Sequence, residues 1–168
     1  MTVEEPGEFR QDRPSLLEAV QAFLFHENSL LDENRYEDWV DLFSEDGVYW
    51  IPSNAFNIDP ETHVSVVYAN KARLREVVIR ARSGTFWAQE PASRTSRLIG
   101  NVLVEEPLPN CRVRSKLLVT ELRRGRQRQF AGTCRYRLQR SNGQWKIREK
   151  LVELIDNDEP LDNFTFMV

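Results

Sequence analysis

"NRYEDWVDLFSEDGVYWIP", residues 34–52, carries the pattern that decides the fold. Tyr36, Trp39, Val40 and Phe43 recur at helical spacing, so the first half reads as a short amphipathic helix. Asn34 and Glu37 have the spacing of a capping box, and Asp46-Gly47 reads as the helix stop. "VYWIP" then changes the period: it is rich in β-formers and stops at Pro52. Trp39, Phe43, Tyr49 and Trp50 are thereby aimed at one small region, to line a pocket, fill a core or brace a docking surface.

Upstream, Ser15 and Glu18 fit a second capping box. Leu16, Val20, Phe23, Leu24, Leu30 and Leu31 follow at helical spacing and predict a long helix over residues 15–32. Residues 1–13 read as a flexible polar arm, and residues 14–168 as one domain. Downstream, residues 53–62 read as a loop, and "HVSVVYA" reads as a short strand or part of that loop. Asn70 is placed to cap a third helix carrying Leu74, Val77, Val78 and Ala81, with Gly84 as its stop.

The rest is strand-like: "SRTSRLIGNVLVEE", "CRVRSKLLVTELRR", "QRQFAGTCRYRLQR" and "QWKIREKLVELID". Asn142-Gly143 marks a hairpin between the last two. Helices first and long strands afterwards mean α+β. The expected architecture is a curved mixed or antiparallel sheet wrapped around the long N-terminal helix.

The chain has 168 residues, is 40% hydrophobic and 29% charged, and carries a net charge of −3. That is the composition of a globular protein with a sizeable core. It supplies no global basic field for nucleic acid. No apolar run approaches the roughly 18–20 residues of a membrane span, and the polar, acidic start lacks the order of a secretory signal. The expected setting is cytoplasmic, with neither membrane nor nucleic-acid partners.

The chemistry-bearing residues are sparse. His26 and His63 are the only histidines, and Cys111 and Cys134 the only cysteines. An iron site of two histidines and a carboxylate would need both histidines, which lie on separate elements. Rieske and zinc spacings are absent, as are a phosphate loop and a nucleophile elbow. The cysteines fall on successive strands, where they either face each other or sit as two buried apolar thiols.

Basic residues alternate along the strands: Arg112, Arg114 and Lys116, then Arg135 and Arg137, then Lys146, Arg148 and Lys150. A period of two puts each set on one face of its strand. That face is either merely solvated or docks an acidic surface of another protein, with nucleic acid the poorest fit. Arg94, Arg97, Arg112, Arg114, Arg135, Arg137 and Arg148 are the candidate interface residues. Arg94 is expected in a buried or interfacial ion pair.

Four segments resemble, in order, the small (β) subunit of aromatic-ring-hydroxylating dioxygenases. They are "LLDENRYEDWVDLFSEDGVYWIP", "PASRTSRLIGNVLVEE", "FAGTCRYRLQRSNGQWKIREKLVELIDND" and the closing "FTFMV". "DPETHVSVVYANKARLREVVIRARSG" is similar to the benzoate-type members. The resemblance implies the nuclear transport factor 2-like, or cystatin-like, cone. It implies no cofactor in this chain and a trimer of small subunits beneath a trimer of large (α) subunits. The large subunits would hold a [2Fe-2S] Rieske cluster and mononuclear Fe(II). Electrons would arrive from NAD(P)H through a reductase, with or without a ferredoxin, for cis-dihydroxylation of an aromatic compound that this chain does not identify.

The same cone hosts stand-alone isomerases and dehydratases and ligand-binding proteins. In those readings His26, Tyr36, Tyr49, His63 and Arg94 would line the interior. Laid on the ketosteroid-isomerase stretch, however, this sequence puts Ile51 where that family has its Asp base, and Ile cannot take a proton.

Overall fold

The computed structural model describes residues 15–53, 65–82, 92–158 and 167. The proposed arm at 1–13, the loop at 54–62, His63, the Gly84 stop and most of the C-terminal tail lie outside them. Helix α1 spans Leu16–Asp32, and both halves of its capping box form: Glu18 N–H donates to Ser15 Oγ at 3.3 Å and Ser15 N–H to Glu18 Oε2 at 2.7 Å. These bonds satisfy two of the donors a helix start leaves open.

The next segment departs from the expected pattern for a physical reason. Asn34 has φ +57°, and its N–H donates to Leu31 O at 3.2 Å while Arg35 N–H donates to Leu30 O at 2.8 Å. These are the paired bonds of a Schellman motif. Asn34 therefore closes α1 and cannot cap α2, which spans Tyr36–Asp41 with Arg35 at its N-cap and no side-chain cap.

Nor does Asp46-Gly47 stop that helix, because strand β1 already spans Phe43–Pro52. Ile147 N–H donates to Leu42 O at 2.9 Å, so the chain is committed to the sheet before the acidic turn. Gly47 serves a close approach: a Cβ there would lie 2.8 Å from the carbonyl oxygens of Ile147 and Ser44.

The remaining elements are β2 (Ser65–Asn70), α3 (Lys71–Arg82), β3 (Arg94–Glu106), β4 (Cys111–Arg123), β5 (Arg126–Ser141) and β6 (Gln144–Leu154). Asn70 caps α3 as expected, its Oδ1 accepting from Arg73 N–H at 2.9 Å. Two of the three long hairpins, β4–β5 and β5–β6, turn on two residues with positive φ, Arg124-Gly125 and Asn142-Gly143. That geometry matches the right-handed twist of the strands it joins.

The sheet has six strands in the order β2-β1-β6-β5-β4-β3. β1 runs parallel to β6 and every other pairing is antiparallel. Bulges interrupt β1, β3 and the β5–β6 ladder, and such insertions bend a sheet. One face is packed on α1 and buries Val113, Leu117, Val119, Cys134, Tyr136, Ile147 and Val152. The other face carries the alternate residues outward, as the strand period requires. This is the expected α+β architecture. No helix among the described residues is long and apolar enough to cross a membrane.

Of the four aromatics that set the opening question, three meet in the core. Trp39 stands edge-on to Phe43, with ring centroids 5.1 Å apart, and to Tyr49 at 5.3 Å. Trp50, one residue on in β1, faces the other way. Its Nε1–H donates to Ser65 Oγ at 2.9 Å and its ring meets Tyr68 at 6.1 Å.

Candidate functional site

The most concentrated chemistry lies between α1 and the sheet. Glu27 follows Phe23 and Leu24 by one turn and precedes Leu30 and Leu31, so the helix turns it into the core with them. It is fully buried. Its Oε1 accepts from Lys150 Nζ at 2.9 Å and Trp39 Nε1–H at 3.0 Å; its Oε2 accepts from the Tyr136 hydroxyl at 2.9 Å and Asn28 Nδ2 at 3.3 Å. Lys150 is fully buried as well, and its ammonium lies 5.8 Å from the ring centroids of Trp39, Tyr49 and Tyr136. A cation so placed is attracted by the ring faces.

Lys150 corrects the sequence reading, which put it on one face with Lys146 and Arg148. In the β5–β6 ladder Leu138 pairs with Ile147 and Arg137 with Glu149, leaving Arg148 as an extra residue. That bulge reverses the alternation. Trp145 and Ile147 face inward before it, and Lys150, Val152 and Leu154 after it.

A general base needs a free lone pair within reach of a substrate proton. Glu27 has four donors on its two oxygens, one of them a paired cation. Tyr136 is held well above the usual tyrosine range, first by burial and then by the Glu27 carboxylate, so it stays a neutral donor. The Glu27 carboxylate is thus held in a structural network rather than poised as one half of an acid–base pair.

His63 lies outside the described residues, and the other four residues proposed to line a catalytic interior are not brought together. Tyr49 is buried, but His26 faces solvent from α1 and Arg94 is exposed on β3. Tyr36 is partly covered and donates from its hydroxyl to Asn34 Oδ1 at 2.8 Å. Ile51 is buried in the core. Among the described residues no group of three or more His, Cys, Asp or Glu is placed to hold a metal ion.

The cysteines do not face each other: Cys134 pairs with Ser115, and Cys111 with Leu138. Both are buried and free, and burial pushes the Cys134 thiol up to about 11. Neither thiol of the native chain is therefore expected to react with dithionitrobenzoate at pH 8, whereas both react once guanidinium unfolds it. Rapid labelling of the native chain would contradict the inward packing of β4 and β5.

Arg94 is exposed, which removes the buried form of its expected ion pair. The buried ion pair of its segment belongs to Arg97, whose side chain is enclosed against Asp32 and the Met167 carbonyl. Strand parity explains it, since residues 94 and 97 lie on opposite faces. Thr95 Oγ1–H and Arg97 N–H also donate to the Asp32 carboxylate, both at 2.9 Å, which ties the end of α1 to β3. A second buried carboxylate, Glu121, accepts from Arg128 Nε at 2.9 Å and from Ser93 Oγ at 2.5 Å.

Arg112, Arg114, Arg135, Arg137 and Arg148 do share the outward face. Arg114 pairs with Glu105 at 2.7 Å and Arg135 with Glu153 at 2.8 Å. Arg112, Arg137 and Arg148 reach Glu106, Glu149 and Asp46 at 3.3, 3.6 and 3.5 Å. Apolar side chains stand among these charges. Leu103, Arg114, Arg135, Leu151, Trp50 and Tyr68 form one row across all six strands. Leu98 is 68% exposed and Leu103 49%.

Comparison with known proteins places this geometry. Residues 26–158 match the protein-family model described as "Ring hydroxylating beta subunit". The small oxygenase component of the p-cumate 2,3-dioxygenase system of Pseudomonas putida is 34% identical over 134 residues, covering 78% of this chain and 74% of that protein. Biphenyl 2,3-dioxygenase subunit beta of Rhodococcus jostii (strain RHA1) is 30% identical over 164 residues, covering 89% and 87%. The crystal structure of the beta subunit of benzoate 1,2-dioxygenase from Burkholderia mallei superposes with a TM-score of 0.75 at 28% identity, over 94% of this chain and all of that one.

Proposed function

The chain belongs to the ring hydroxylating beta subunit family, and on that premise we propose how it serves its oxygenase. It is the small subunit of the terminal oxygenase of an aromatic-ring dioxygenase, partnered by a large subunit that does the chemistry. The observation that carries this reading is the contrast between its two faces. Inside, every position on the Glu27 carboxylate is taken by a donor from its own chain. Outside, exposed arginines and leucines share one face of the sheet.

In this reading the large subunit holds the [2Fe-2S] Rieske cluster and mononuclear Fe(II). The holoenzyme combines an arene, O₂, NAD(P)H and a proton to give a cis-dihydrodiol and NAD(P)⁺. Electrons pass from a reductase, with or without a ferredoxin. This chain contributes assembly: it trimerises and supports three large subunits, with the outward face of the sheet as the contact. Arg94, Arg112, Arg114, Arg135, Arg137 and Arg148 lie on that face. Arg97 acts from within, by fixing α1 to β3.

Native mass spectrometry of the affinity-tagged chain purified from its own host tests the reading. The expected result is a complex with a larger, iron-bearing subunit in equal numbers, three of each. Recovery as a homo-oligomer without iron would overturn it.

A further inference from the structure

We propose that a pocket of the outward face, at the β3–β4 turn, receives a carboxylate side chain of the large subunit. The proposal rests on the assembly reading and names the chemistry of its contact. A cavity of about 280 Å³ opens there, lined by Arg112, Arg137, Arg148, Glu106, Pro109 and Leu138. Three neighbouring strands each supply one guanidinium.

The arrangement costs the isolated chain something. Arg112 and Arg137 lie directly opposite each other in the β4–β5 register, and like charges so placed repel. Arg148 joins them because the β6 bulge makes it the extra residue. The side chains of Arg112, Arg137 and Arg148 are each at least half exposed, and their own carboxylate partners stand at 3.3–3.6 Å. Arg114 and Arg135, on the same face but outside the pocket, are held at 2.7 and 2.8 Å. Guanidinium has several N–H donors in a fork, so the loosely held arginines keep donors for a further acceptor.

A bidentate carboxylate suits such a fork. The site is open on the face that bears the exposed Leu98 and Leu103, which matches a side chain arriving on a docking surface. The excess of positive charge in the lining selects an acidic one.

The test compares the wild type, Arg112→Gln/Arg137→Gln and, as a control on helix α3, Arg75→Gln. The affinity of each for the large subunit isolated from the native complex is measured across a range of NaCl concentrations. The double variant is expected to bind about tenfold or more weaker at low salt, with a shallower salt dependence. Arg75→Gln should change affinity less than about threefold, because it removes one exposed charge that does not lie on the sheet. The melting temperature of the free double variant is expected to be unchanged or higher, since a repulsion is relieved. Equal affinity and equal salt slopes for double variant and wild type would overturn the proposal while leaving the assembly reading intact. Failure of the wild type to bind the large subunit would instead overturn the assembly reading. Inorganic phosphate is titrated into the free chain as well. If it binds the wild type and not the double variant, and both bind the large subunit equally, the occupant is a free anion and the proposal fails.

Discussion

Lys150→Ala lowers the stability of this chain by about 3–5 kcal/mol, the usual cost of removing one partner from a buried ion pair. The substitution leaves Glu27 fully buried with its neutral donors Trp39, Tyr136 and Asn28 but without its counter-charge. Against a typical total of about 5–15 kcal/mol, that is enough to populate unfolded chain at moderate temperature. Urea unfolding followed by far-ultraviolet circular dichroism measures it. A second variant separates the charge from the packing. In Glu27→Leu/Lys150→Met both charges go and apolar volume stays, so most of the loss should be recovered, because a buried pair exchanged whole for apolar residues is often neutral or stabilising. If Lys150→Ala unfolds within about 1 kcal/mol of the wild type, the Glu27–Lys150 pair contributes little to holding α1 on the sheet. If the double variant is as unstable as the single one, the loss comes from packing.

The two halves of this network were not equally legible in the sequence. Glu27 sits at helical spacing between Phe23, Leu24, Leu30 and Leu31, so a helical wheel alone puts it among core residues. An acidic residue there demands a partner. Lys150 carries no such mark. Strict alternation from Lys146 and Arg148 sends it outward, and only the bulge at Arg148 turns it inward. A bulge is a property of the pairing between two strands, which one strand's pattern does not contain. The same limit explains Arg94 and Arg97. Period two separates their faces but does not say which face α1 will cover.

Local rules held where they act within one element. The capping box of α1, the Asn70 cap of α3 and the Asn142-Gly143 turn all formed as read. They failed at residue 34, where two helices compete for one asparagine and the Schellman closure of α1 wins. The family pattern was legible because it joins the aromatic strand, the Ser-Arg-Thr segment and the final hairpin in one order. The outward face of the sheet was legible only as alternating charge. Which arginines are tightly held and which loosely depends on distances between strands.

Trp39→Ala tests whether the opening aromatics fill the core or line a pocket. Trp39 is fully buried, stands edge-on to Phe43 and Tyr49, and donates its indole N–H to Glu27 at 3.0 Å. Removing the ring forfeits its burial and leaves a void that close-packed neighbours can only partly collapse into. About 3–5 kcal/mol is the expected loss. For a domain of this size that corresponds to a fall in melting temperature of roughly 6–20 °C. Trp39→Phe keeps an aromatic ring against Phe43 and Tyr49 but removes the N–H that Glu27 accepts. Its expected cost is smaller, about 1–3 kcal/mol, the penalty for an acceptor left short of a donor. The order wild type, Phe, Ala then assigns the larger share to packing and the remainder to the hydrogen bond. A pocket-lining tryptophan would behave differently, because a ring facing a cavity loses few contacts when it is cut back. An unchanged melting temperature for Trp39→Ala would return the interior to the status of a ligand site. A fall of the expected size means that Trp39 fills the core and is held there by its neighbours.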